Sequence, residues 1–216
     1  EQNENNRDIN LAYGLSEELT NQVKAQANQK LKLNLNGCKN EETEIDFKFD
    51  DEFVKDLYKA NIAAGVDYME FGYKASKEIF NVEDFGKWKF CDEESIREIV
   101  GDNDTDLKIA VMADVGRTDY KKDIIPKKDS VIDMIRVATY VNTIPAAIEM
   151  INYCADLGYE VTINIMAVST ASEKDLDLAL DMLGQSKASV IYLVDSYGSL
   201  YPEQIREFAK KYLKVA

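Results

Sequence analysis

The chain alternates between two hydrophobic periods. LKLNLN (31–36) switches apolar and polar residues one by one, as a short strand does. GCKNEETEID is a polar loop. DDEFVKDLYKANIAAG then reads as a helix: Phe53, Leu57, Ala60 and Ala64 share one face, acids crowd its first turn, and Gly65 ends it. The strand VDYMEFGY follows at once. The unit recurs. DEESIREIVG leads to LKIAVMADV, SVIDMI leads into RVATYV, and PAAIEMINYCADLG, with Pro145 in its first turn, leads to EVTINIMAV. SEKDLDLALDMLGQS, capped by Ser172, leads to ASVIYLVDS, and YPEQIREFAKKYL is a final helix. Strands are predicted near residues 31–35, 67–73, 107–114, 135–141, 160–168 and 190–195.

These strands are short, β-branched and almost continuously apolar, as strands covered on both faces are in parallel sheets. Helices between them supply the crossovers. An open doubly wound sheet and a closed barrel both fit. Neither GxGxxG nor GxxxxGK[ST] occurs, which favours the barrel. The expected fold is α/β, an incomplete parallel (β/α)8 TIM-type barrel with about six of its eight units, the remaining two falling after Ala216. Residues 31–216 form this domain. Residues 1–30 differ in texture. EQNENNRDIN has nothing to bury; LSEELTNQVKAQANQK has Ser16 as a cap and a thin apolar face at Leu15, Leu19 and Val23. It reads either as a loosely docked helix or as a flexible arm.

Composition narrows the chemistry. With 45% apolar and 31% charged residues, the 216-residue chain can bury a core and is not mostly disordered. A formal charge of −14 argues against nucleic acid or an anionic membrane as a general partner. No apolar run is long enough to span a bilayer. Cys38, Cys91 and Cys154 form no CxxC pair and read as free thiols of a reducing cytoplasm. Histidine is absent, which removes the imidazole base, the Ser-His and Cys-His pairs and histidine metal ligands. Any metal needs oxygen ligands or residues from elsewhere.

In a β/α barrel functional groups gather at the C-terminal ends of strands. The polar residues there are Glu70, Asp114 with Arg117, Thr139 with Asn142, Asn164, and Asp195 with Ser196. Glu70 is either a proton acceptor or one half of an internal ion pair. Asn164 is either a ligand-contacting amide or a satisfied interior group. Asp195, in VDSYG, either faces the mouth or bonds turn amides. Trp88, Phe85 and Phe90 read as packing, as do the methionines of apolar runs. The lysines of TDYKKDIIPKKDS read as a solvated loop.

From about Phe49 to Ala216 these segments resemble the aldolase-like members of the HMG-CoA-lyase-like, or DRE-TIM metallolyase, superfamily. FDDEFVKDLYKANIAAGVDYMEFGYK, DLKIAVMADVGR, GYEVTINIMAVS and VIYLVDSYGSLYPEQIRE carry the likeness. The nearest activity in that superfamily is 4-hydroxy-2-oxovalerate aldolase. The resemblance implies a C–C lyase acting on a pyruvate-like 2-oxo acid. It also implies a divalent metal, Mn2+ or Mg2+, that stabilises an enolate, and an arginine from the first strand that supports the developing charge.

In that family the metal is held by the Asp after the arginine and by a His-x-His pair after the seventh strand. Here LNGCKNE places Lys39 at the arginine and Asn40 at the metal Asp, and His-x-His is absent. Lysine lacks the guanidinium fork, and a neutral amide is a poorer ligand for a hard cation. The carried-over positions are Lys39, Asp195 and Ser196 for catalysis, Glu70 and Asn164 for substrate, and Asn40 as a degenerate metal position. Two readings stand: a metal-dependent aldolase or lyase, impaired in this chain alone, and a non-catalytic degenerate barrel serving binding or assembly. Open edges at the first and sixth strands predict a second copy or a partner chain that covers them.

Overall fold

The computed structural model describes residues 34–36, as backbone, and 46–215. Lys39, Asn40, Cys38 and the 1–30 segment lie outside the described residues. Six strands form one parallel sheet in the order β1-β2-β3-β4-β5-β6. They are β1 (Asn34–Asn36), β2 (Tyr68–Tyr73), β3 (Lys108–Asp114), β4 (Met134–Thr139), β5 (Glu160–Ile165) and β6 (Val190–Tyr192). The helices are α1 (Asp51–Ala64), α2 (Glu93–Val100), α3 (Tyr120–Asp123), α4 (Ile144–Asp156), α5 (Glu173–Leu183) and α6 (Pro202–Leu213). All six anticipated strands are present. The fifth and sixth are shorter than their apolar runs: a turn begins at Met166, and β6 gives way to irregular chain from Leu193. Among the described residues the sheet does not close.

Helix boundaries follow local chemistry. Asp50 caps α1 by accepting from the Phe53 amide at 2.8 Å, and Gly65 ends it in the left-handed region. Ser172 caps α5 through the Asp175 amide. The anticipated buried face of α1 needs correction. Val54, Tyr58 and Asn61 face the core, while Phe53 is 41% exposed. The buried stripe is displaced by one residue, with Leu57 still packing at its edge, and Tyr58 donates a 2.6 Å hydrogen bond to Asn103.

The strands alternate in what they face. Met69, Ile109, Val111, Ile135, Val137, Val161, Ile163 and Ile165 join the helices in one large core. The intervening positions line a second face on which no helix among the described residues packs, where Tyr68, Ala110 and Met134 form a small cluster of their own. On this face Tyr68 of β2 donates a 2.6 Å hydrogen bond to Glu160 of β5. In a flat sheet those strands stand three spacings apart, roughly 14 Å. Two side chains close that gap only if the sheet curls towards them. This second face is therefore the concave one.

Candidate functional site

Two polar layers cross the concave face. Near the strand starts, Lys108 donates to the Tyr68 hydroxyl at 3.1 Å and to Glu160 at 3.2 Å. One layer up, Arg136 donates through Nε and a terminal nitrogen to both carboxylate oxygens of Glu70. The pair is nearly sealed, with side-chain exposures of 13% for Arg136 and 7% for Glu70. Of the two readings open for Glu70, the structure displays the internal ion pair.

Above this pair the strand ends bring charge together. Asp114 closes β3 and is 8% exposed. Its carbonyl accepts from the Arg117 and Thr118 amides, each at 3.0 Å, so the chain turns sharply there and Gly116 sits at φ 81°. The Arg117 guanidinium, mostly solvent-exposed, lies 3.9 Å from Asp114 Oδ2. Asp114 Oδ1 is buried and has no hydrogen-bond partner among the described residues. Burial raises the Asp114 carboxyl above the usual range, opposed by Arg117, Lys89 and Arg136 and reinforced by Glu70.

Lys89 enters from the turn after β2. It is 8% exposed, and its ammonium lies 4.5–5.3 Å from the ring centres of Phe80, Phe47, Tyr73 and Phe85. Burial pushes its pKa below the ordinary lysine value, while Asp114 opposes that shift. The ring faces also favour the cation. Tyr73 closes β2. Burial first, then the carboxylates of Asp114 and Glu70, push its phenol up to about 12, against the guanidinium groups of Arg136 and Arg117. It is therefore a neutral donor at ordinary pH.

The remaining predicted positions are spread more widely. Asn164 on β5 is 5% exposed; its amide nitrogen lies 3.9 Å from Met112 Sδ, and its Oδ1 lacks a partner among the described residues. Thr139 is buried, and its hydroxyl meets that of Thr143 at 2.8 Å. Asp195 Oδ2 accepts from the Leu200 amide at 2.8 Å, as a turn-forming aspartate does, while Oδ1 is buried without a partner among the described residues. Ser196 Oγ accepts from the Ala167 amide at 3.0 Å and so ties the β6 end to the β5 end. Trp88 and Phe90 are core residues. The lysine-rich loop is largely solvated, although Lys127 is half-buried against Asp133 at 3.2 Å.

Sequence reasoning missed Arg136, Lys89 and Tyr73. A signal existed for the first two. Arg136 interrupts an apolar strand on the same side as Met134, and Lys89 stands between two buried aromatics in WKF. Tyr73 carried none, for strict alternation puts it on the face opposite Glu70.

A cleft of about 690 Å3 lies elsewhere, between the starts of α4 and α5, lined by Tyr140, Asn142, Met166, Ser172, Asp175 and Leu178 among others. Chemistry favours the strand ends, where several charged groups and unpartnered oxygens converge. A divalent metal fits the described residues poorly. No three His, Cys, Asp or Glu side chains among them approach closely enough to share an ion. No helix among them is long and apolar enough to cross a membrane.

No protein-family model matches the chain, and no curated protein matches it. Among solved structures it is similar to "the N-terminal domain of a putative aldolase from Bacteroides vulgatus", with a TM-score of 0.60 and 22% identity. The match covers 79% of this chain and 56% of that one, so the chain spans little more than half of its neighbour's length. At this identity the likeness speaks for an aldolase-like α/β fold.

Proposed function

We propose that the chain supplies six βα units of an aldolase-type barrel whose mouth binds a small 2-oxo acid of the pyruvate kind, for C–C bond cleavage or formation at the carbon next to its carbonyl. One observation carries this: Asp114, Arg117, Lys89 and Tyr73 converge at the strand ends above a buried Glu70–Arg136 pair. The curled sheet and the fold-level neighbour support the barrel.

Each group has a task that its surroundings favour. Arg117, exposed and only loosely paired, meets the substrate carboxylate with its planar fork. Asp114 offers an unpartnered carboxylate oxygen whose basicity is raised by burial, suited to accepting a hydrogen bond or a proton from a substrate hydroxyl. Glu70 and Arg136 fix the floor. Lys89 adds positive charge while its four rings hold it in place. No step is routed through a metal, because the described residues do not assemble its ligands.

Calorimetry with pyruvate tests the reading. Binding in the micromolar to millimolar range is expected, weakened about tenfold in Arg117→Ala, the loss of about one charge-assisted contact. Absence of binding to the wild-type chain overturns it. The second reading, a non-catalytic binding or assembly barrel, is favoured by one observation. Asp195 and Ser196, two of the positions carried over from the resemblance for catalysis, spend hydrogen bonds on loop amides. Binding of pyruvate without turnover of any 4-hydroxy-2-oxo acid selects it.

A further inference from the structure

The ladder between β2 and β3 slips once. Glu70 pairs with Ala110, but Tyr73, three residues further along β2, pairs with Met112, only two residues further along β3. β2 therefore carries one extra residue, a bulge. Side chains alternate along a strand, so a regular β2 would send Tyr73 to the helix-covered face with Met69 and Phe71. The bulge turns it back to the concave face beside Glu70. Gly72 makes this possible. A Cβ at position 72 would stand 2.1 Å from the Trp88 carbonyl oxygen and 3.2 Å from Cys91 Sγ, so only glycine lets the turn before α2 approach the strand this closely.

The re-aimed side chain is poised rather than spent. Its hydroxyl has no hydrogen-bond partner among the described residues, and it is not one of the polar atoms sealed from solvent. Its ring packs edge-on against Phe47 at 5.3 Å and flanks the Lys89 ammonium at 5.0 Å, which fixes its position. The charges it feels are those of Asp114, Glu70, Arg136 and Arg117. Burying a phenol costs free energy unless its hydroxyl finds a partner.

We propose that Tyr73 touches the bound 2-oxo acid and donates its phenolic hydrogen bond to the keto oxygen, steadying the enolate that develops there. This rests on the 2-oxo acid reading of the same mouth. As the C3–C4 bond of a 4-hydroxy-2-oxo acid breaks, the C4 hydroxyl gives its proton to Asp114 and becomes the carbonyl of the departing aldehyde, the pair of the broken bond becomes the C2–C3 double bond, and the keto carbonyl pair moves onto oxygen. Tyr73 keeps its proton and supplies a preorganised donor to that oxygen.

The test compares pyruvate with oxalate, a planar dianion that imitates the enolate, on the full chain and on Tyr73→Phe. The wild-type chain is expected to bind oxalate about tenfold or more tightly than pyruvate. Tyr73→Phe is expected to lose about tenfold for oxalate and less than about threefold for pyruvate. Unchanged oxalate affinity in Tyr73→Phe overturns the inference and leaves the site reading intact. A wild-type chain that binds neither anion overturns the site reading itself. On the wild-type chain, NMR of 13Cζ-labelled tyrosine reads the same contact without a mutation. The Tyr73 resonance is expected to move with oxalate, and one that stays put while oxalate binds contradicts the proposal.

Discussion

Arg136 grips Glu70 with two guanidinium nitrogens across the intervening strand β3, and the pair is almost wholly withdrawn from water. The geometry is bidentate, so each group leaves little of the other's charge uncompensated. Arg136 also lies among Tyr73 and Tyr192, whose hydroxyls it can feel. The pair thus joins β2 to β4 and lies beneath the strand-end cluster of Asp114 and Tyr73.

Removing one partner is expected to be costly. Glu70→Gln or Arg136→Met strands a buried charge and should lower stability by about 3–5 kcal/mol in urea unfolding. Replacing both with apolar residues, as in Glu70→Leu with Arg136→Met, should recover most of that loss. A double variant as unstable as the sum of the two single variants would contradict this account.

Gly72→Ala should destabilise by at least about 2 kcal/mol, because its Cβ meets backbone oxygen rather than a movable side chain. Gly116→Ala, with open space around its Cβ but φ at 81°, should cost less, about 1 kcal/mol. Thermal melts of the two variants check the order. Equal losses would deny that the approach of Trp88 to β2 is tight.

The raised Asp114 carboxyl gives a pH signature. Its folded-state pKa lies above the ordinary aspartate value, so the folded chain binds the proton more readily than the unfolded one. Stability from this group is present below the ordinary value and is lost as pH rises through the folded-state pKa. Asp114→Asn should therefore be more stable than the wild-type chain at pH 7, the advantage shrinking as pH falls through the raised folded-state pKa and gone below the ordinary aspartate value. Denaturant melts across pH check this. An Asp114→Asn chain less stable at pH 7 would contradict the sign. The same variant should bind pyruvate more weakly, a stability–function trade-off.

Much of the fold was legible because its signals are local. Gly65 and Ser172 ended and began helices where expected, and apolar runs marked every strand. The N-cap at Ser172 is worth about 1 kcal/mol, which Ser172→Ala should reveal. The site was legible only in part. Asp114, Arg117, Glu70 and Asn164 stand where strand ends put them. Tyr73 does not, because a bulge cannot be read from alternation, and the backbone that packs tightly on the bulged strand is that of Trp88, fifteen residues on. Lys89 looked like a flank of a packing motif, since the rings that surround it come from four separate places in the chain. Asp195 and Ser196 drew attention as a motif, yet both bond the amides of loops.

The strand-end cluster, and not the cleft between α4 and α5, is expected to receive the 2-oxo acid. Amide NMR of the full chain titrated with pyruvate tests it most directly. The largest shifts are expected at Tyr73, Lys74, Lys89, Gly116 and Arg117. Shifts centred instead on Asn142, Ser172 and Asp175, or none at saturating pyruvate, would contradict it.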